Sequence, residues 1–194
     1  MKKNITNEKK EVIAGISIYL DLFDEDKGVF VEQILNSIEP SQDLGYAGWK
    51  TKEALSKHLK FGMFDKSSKI TKYKINNDEV VNVIEEAIRK CNKIIPSQIT
   101  HIFVFPCFKN FVKEKMRGIS GFCIWRNTIT IFISPVKGWQ NSLKETVAHE
   151  FAHSVSSYYR KDTAVGDWFV LEGIAEHFSE KVLNIGKPIM AGVI

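Results

Sequence analysis

The segment "TVAHEFAHSV", Thr146 to Val155, constrains this chain more than any other. Two histidines stand four residues apart among Val147, Ala148, Phe151, Ala152 and Val155, and Glu150 directly follows the first. So dense an apolar setting calls for burial, and imidazoles and carboxylates are buried only with partners. On an α-helix four residues advance about 400° and about 6 Å, so His149 and His153 lie one turn apart on one face, close enough for both rings to reach a single ion. Glu150 is turned about 100° from His149, which leaves it beside such an ion as a base instead of a ligand. The bland reading of the same segment is two satisfied core histidines on an ordinary buried helix.

A catalytic zinc takes three protein ligands and keeps one position open. Glu172, in "VLEGIAEHF", follows His153 with eighteen residues between them and sits among apolar neighbours. A carboxylate there is costly unless a cation accompanies it. Glu176 lies one turn further along the same face and is an alternative third ligand. His177, rotated about 100° from Glu176, is a poorer one. A third histidine six residues after the second is absent, because that position is Tyr159. Ser154, Ser156 and Ser157 lack the separate histidine and acid that would make a nucleophile of any of them.

This pattern resembles that of the gluzincin metallopeptidases, in which HExxH is followed by a ligand glutamate on the next helix. "HEFAH" and "EGIAE" carry the likeness. The strand pair "GISGFCIWRNTITIFISP" before the helix is also similar to a bacterial family of predicted Zn-dependent proteases, and the resemblance covers about residues 95 to 185. It implies an α+β, zincin-like fold: a small antiparallel or mixed sheet packed on the HExxH helix and on a following, ligand-bearing helix. It implies zinc as cofactor, held by His149, His153 and Glu172. Glu150 would be the general base of peptide-bond hydrolysis by a metal-activated water, and Glu176 a carboxylate hydrogen-bonded to a ligand histidine. A peptide or protein substrate would run antiparallel to an edge strand supplied by one of the two hairpin strands. The alternative is a non-catalytic, metal-stabilised protein that binds a peptide or regulates without cleaving; retention of Glu150 beside an open coordination position favours the enzyme. The chain departs from the pattern at Leu171, where many relatives carry Asn, and it lacks the Gly-x-Met-Glu-Asn signature of the zinc aminopeptidases. A second stabiliser for the tetrahedral intermediate is not placed, although Tyr158, Tyr159 and Arg160 are near in sequence.

The rest of the chain bounds this reading. Its 194 residues suit a single domain, expected as a mostly helical N-terminal region over 1–75 and a catalytic core over 76–185. Apolar residues in "EVIAGISIYLDLF" and "GVFVEQILNSI" fall at helical spacing, and "EPSQDLGYAGW" is turn-rich. His58 reads as a helix residue and not as a ligand. In "NNDEVVNVIEEAIRKCNKII", Val80, Ile84, Ala87, Ile88, Cys91 and Ile95 mark an amphipathic helix, with Asn76 and Glu79 placed for a capping box. "THIFVFPCF" reads as a buried strand ended by Pro106, with a structural His101 at its mouth. Ile129, Ile131 and Ile133 alternate with Thr128, Thr130 and Phe132, so the second hairpin strand has one apolar and one mixed face. The last two helices are expected from about Ser142 to Tyr158 and from about Asp167 to Leu183, joined by the polar "YRKDTAVGD".

An apolar share of 44% and a charged share of 26% exclude a disordered or fibrous chain. The net charge of +4 is spread out, with acids interleaved among lysines as in "FVKEKMRG". That stretch reads as a solvated face, and no nucleic-acid partner is expected. No run is long enough to span a bilayer, so no membrane partner is expected either. Cys91, Cys107 and Cys123 are odd in number, far apart and in apolar surroundings, which suits buried thiols in a reducing compartment. Glu8, Glu11 and Asp21 interrupt what would otherwise be a leader-like N-terminus, and a cytoplasmic location is expected.

Overall fold

The computed structural model describes residues 9–13, 16–20, 52–66, 68, 75–96, 101–125, 128–156 and 165–184. Five strands, β1 (Lys9–Ile13), β2 (Ile16–Leu20), β3 (His101–Pro106), β4 (Ile119–Trp125) and β5 (Thr128–Ile133), form one mixed sheet in the order β1-β2-β3-β5-β4. β2, β3 and β5 are mutually parallel; β1 and β4 are antiparallel to their neighbours. The helices are α1 (Lys52–Met63), α2 (Asn77–Ile94), α3 (Asn110–Lys115), α4 (Trp139–Ser156) and α5 (Val165–Leu183). The protein is α+β with a mixed sheet, as the family resemblance implies.

The helical reading of residues 1–75 is corrected in part. "EVIAGISIYL" forms most of the β1–β2 hairpin, with Ile13 opposite Ile16 and two residues between the strands. A short apolar run satisfies helical and strand spacing alike, and partners arbitrate. Here Ile18 and Leu20 are in register with Ile102 and Val104 of β3, a neighbour about eighty residues away that local spacing cannot announce. Helix does form at α1. "GVFVEQILNSI", "EPSQDLGYAGW", Tyr158, Tyr159, Arg160 and most of the connection between α4 and α5 lie outside the described residues.

The sheet separates two packed faces. On one, Ile129, Ile131 and Ile133 of β5 meet Val80, Ile84, Ala87, Ile88 and Cys91 of α2 and Leu143, Val147 and Phe151 of α4, all in one buried cluster. On the other, Phe132 stacks on Phe105 and meets Phe122 and His58 edge-on. The face read as mixed is therefore buried as well, and Thr130 satisfies its hydroxyl by donating to the Phe122 carbonyl at 2.9 Å. Asn76 caps α2 by accepting from the Asp78 amide at 2.9 Å. Glu79 does not close the capping box; its carboxylate accepts from Gln140 of α4 at 2.8 Å instead and ties the two helices together. Ile95, expected on the apolar stripe, is the extended C-cap residue and is exposed. All three cysteines are buried thiols, and burial pushes Cys91 up to about 12. No helix among the described residues is long and apolar enough to cross a membrane.

Candidate metal centre

α4 crosses the sheet beside β4, and its period does what four-residue spacing demands. The rings of His149 and His153 meet edge to face with centroids 4.7 Å apart and their Nε2 atoms 3.0 Å apart. α5 lies alongside and brings Glu172 against both: Oε2 is 3.1 Å from His149 Nε2, and Oε1 is 3.3 Å from His153 Nε2. The second carboxylate of α5 does something different. Glu176 Oε2 lies 3.4 Å from His149 Nδ1, on the other side of the ring. Geometry thus separates the two α5 carboxylates: Glu172 shares the point where both Nε2 atoms converge, and Glu176 does not.

Do these groups fit a zinc ion? Tetrahedral bonds of about 2.0 to 2.1 Å place neighbouring ligand atoms roughly 3.3 Å apart. The two Nε2 atoms are 3.0 Å apart, and each has its own Glu172 oxygen at 3.1 or 3.3 Å, so the nitrogen pair and the carboxylate are spaced on that scale. One atom from each of His149, His153 and Glu172 lies within 4.8 Å of the others, a group able to hold a metal ion. Two neutral imidazoles and a carboxylate are also the donor types zinc prefers. The residues present fit the metal.

Among the protein groups alone, the cluster is strongly polarised. Burial opposes charge on His149, yet hydrogen bonds to Glu172 and Glu176 and the nearby Glu150 overcome it and push the ring up to about 10. Hydrogen bonds from His149 and His153 hold the Glu172 carboxyl well below its ordinary range. Glu150, 7% exposed, is not one of the three residues grouped as able to hold the ion. Its side chain lies instead against Gly121 of β4, where an added Cβ would stand 2.6 Å from Glu150 Cγ and 3.0 Å from Oε1. The missing side chain at Gly121 is what lets the helix carry a carboxylate so close to the strand.

β4 is an outer strand of the sheet among the described residues. Ser134 donates to the Gly118 carbonyl at 2.7 Å, so in the antiparallel ladder the backbone groups of residues 118, 120 and 122 turn toward β5. Those of Ile119 and Gly121 turn outward, and the Ile119 amide donates to Met116 instead. A cleft of about 760 Å³ follows this open edge, with His149, Glu150, His153, Glu172, Glu176 and Trp168 along one side.

Sequence reasoning missed Gly121, and it also missed Glu145. This glutamate lies one turn before His149, is buried in the same cleft, and accepts from Arg117 Nη1 at 3.1 Å. Burial raises its carboxyl, Arg117 opposes that shift, and Glu176 adds to it. The four-residue step back from His149 was the available signal. Arg117 and Gly118 both adopt left-handed backbone, at φ 55° and 84°, in the turn that starts β4. His58, read as a plain helix residue, is buried in the cleft wall against Phe122; burial and Lys109 lower it to about 4.

A model of a family described as predicted Zn-dependent protease (DUF2268) matches residues 80–188. No curated protein and no solved structure matches the chain.

Proposed function

The chain belongs to this family of predicted Zn-dependent proteases, and from that premise we propose that it is a zinc-dependent peptidase of the gluzincin type. His149, His153 and Glu172 are its zinc ligands and Glu150 its general base. The observation that carries the reading is the convergence of two Nε2 atoms and one carboxylate at 3.0 to 3.3 Å, with Glu150 beside them against the open edge of β4.

Held by His149, His153 and Glu172, zinc would supply Lewis acidity here, to polarise a carbonyl and to make water a usable nucleophile near neutral pH. The chain's own residues do the rest. Glu150 takes a proton from the attacking water and returns it to the departing amine nitrogen, so a C–O bond forms as the C–N bond breaks. Glu176, at His149 Nδ1, fixes the tautomer and the angle of that ring. An extended peptide pairs antiparallel with β4 through the outward carbonyl of Ile119 and the outward amide and carbonyl of Gly121, which aligns one peptide bond with Glu150.

Metal analysis of the purified protein beside Glu150→Gln, both assayed on a mixed peptide library, tests this. Equimolar zinc is expected in both, with cleavage lower by about 10² to 10⁴ in the variant. Undiminished cleavage by the variant would rule out Glu150 as the base, and absence of zinc from both would rule out the metal.

A further inference from the structure

We propose that the end of the cleft beyond the histidine cluster selects peptides carrying a large apolar side chain together with a carboxylate on the C-terminal side of the scissile bond. This rests on the peptidase reading above and adds a substrate class to it.

The direction of the strand decides which half of a substrate lies there. β4 runs from Ile119, just after α3, toward Trp125, so a peptide pairing antiparallel with it runs from the Cys123 end toward Ile119. Glu150 stands at Gly121. Two residues of strand, roughly 7 Å, separate Gly121 from Ile119, so the first residues after the cleaved bond reach the α3 end of the cleft.

That end is apolar and basic. Phe61, from the last turn of α1, and Phe111 of α3 line it at 65% and 50% exposure, with Met116 beside them. Exposed aromatic rings in a cleft are a binding feature more often than a packing one. Two ammonium groups stand among them. Lys109 Nζ lies 3.8 Å from the centre of the Phe61 ring, and Lys115 lines the same wall. Arg117 adds no surplus charge, because Glu145 pairs with it. Glu114, on the same short helix, does not line the cleft. The cleft's glutamates, Glu145, Glu150, Glu172 and Glu176, all come from α4 and α5. A carboxylate at the α3 end therefore meets two cations between apolar walls, whereas a lysine meets like charge. The "FVKEKMRG" stretch, which reads as a plain solvated face, turns Lys115 and Met116 into this cleft.

The carboxylate has two sources, an Asp or Glu side chain or a free peptide C-terminus, and the experiment separates them. Three peptides labelled at the N-terminus share a central Phe. They continue as Glu with an amidated end, Lys with an amidated end, or Gly with a free carboxylate. Their binding to the full chain carrying Glu150→Gln, with equimolar zinc, is read by fluorescence anisotropy at low ionic strength. At least one carboxylate peptide should bind about tenfold more tightly than the Lys peptide, and Lys115→Glu, at an exposed position, should reverse that order. Tightest binding of the Glu peptide identifies a side chain; tightest binding of the Gly peptide identifies a chain terminus. Equal affinities, no binding, or an order that Lys115→Glu leaves unchanged overturns the inference. The protein with Glu150 intact, given the same peptides, reports on the other reading separately. Cleavage without charge preference sinks the inference alone, and charge-selective binding without cleavage sinks the peptidase reading alone.

Discussion

α4 and α5 hold the two halves of one cluster and are built in opposite ways. α4 is enclosed by α2, α5, β4 and β5, with Leu143, Val147, Ala148 and Phe151 fully buried. Its histidines are held one turn apart by a helix with no room to shift. α5 buries a single stripe, Leu171, Ala175, Ser179 and Val182, and exposes Phe169, Val170 and Ile174. The Glu172 side chain is accordingly 43% exposed and is held through polar contacts with the two histidine rings instead of by surrounding packing. A pre-set pair of nitrogens thus meets a carboxylate whose position depends on what it contacts.

The largest expected effect tests this contrast directly, by removing one aromatic ring from each helix. Phe151→Ala should cost about 3 to 5 kcal/mol, because a buried ring leaves a cavity. Phe169→Ala should stay within about 0.5 kcal/mol. Urea unfolding of both variants at fixed zinc concentration measures the difference, and equal losses would erase the distinction between the helices.

Next in size is the seat of α4 on β4. Gly121→Ala places a Cβ 2.6 Å from both Glu150 Cγ and Thr146 Cγ2, so the helix or the carboxylate must give way. Displacing Glu150 by about 1 Å should lower kcat by roughly tenfold to a hundredfold while zinc content stays at one equivalent. An unchanged kcat would mean that the strand does not position the base.

The smallest effect sharpens the picture of Glu172. A histidine raised from 6.5 to about 10 contributes stability that is complete below about pH 6.5 and is lost as pH climbs toward 10. A carboxyl held below its ordinary 4.5 contributes stability that is present above that value and is lost as pH falls. With chelator present, this pair should therefore stabilise the fold most between about pH 5 and 6.5. Zinc bound as proposed would displace the His149 proton, so the Tm gained on adding zinc should grow from about pH 6 to 8. Melting curves with and without chelator across that range decide it; a gain that shrinks with rising pH would contradict the assignment.

What was legible in the sequence follows from the range of the signal. The α2 stripe, the β4–β5 hairpin and the helices bearing His149 and Glu172 all declare themselves through spacing within a single element. "EVIAGISIYL" does not, because its strand character comes from pairing with β3. Glu79 met Gln140 instead of its own helix end for the same reason: the competing partner belongs to another element. Lys115 and Met116 look like part of a polar face until the turn at Arg117 and Gly118 folds α3 against the edge of β4.

By itself, then, the sequence determined that the two imidazoles meet. Any helix through residues 146–155 places His149 beside His153, since the period of the α-helix is a local property of the backbone. Only the tertiary structure decided that Glu172 and not Glu176 faces both Nε2 atoms, that β4 and not β5 is an outer strand among the described residues, that Gly121 seats Glu150, and that Lys109 and Lys115 line the cleft. Each of these depends on the register and packing between segments far apart in the chain, and one step of register turns a side chain to the opposite face.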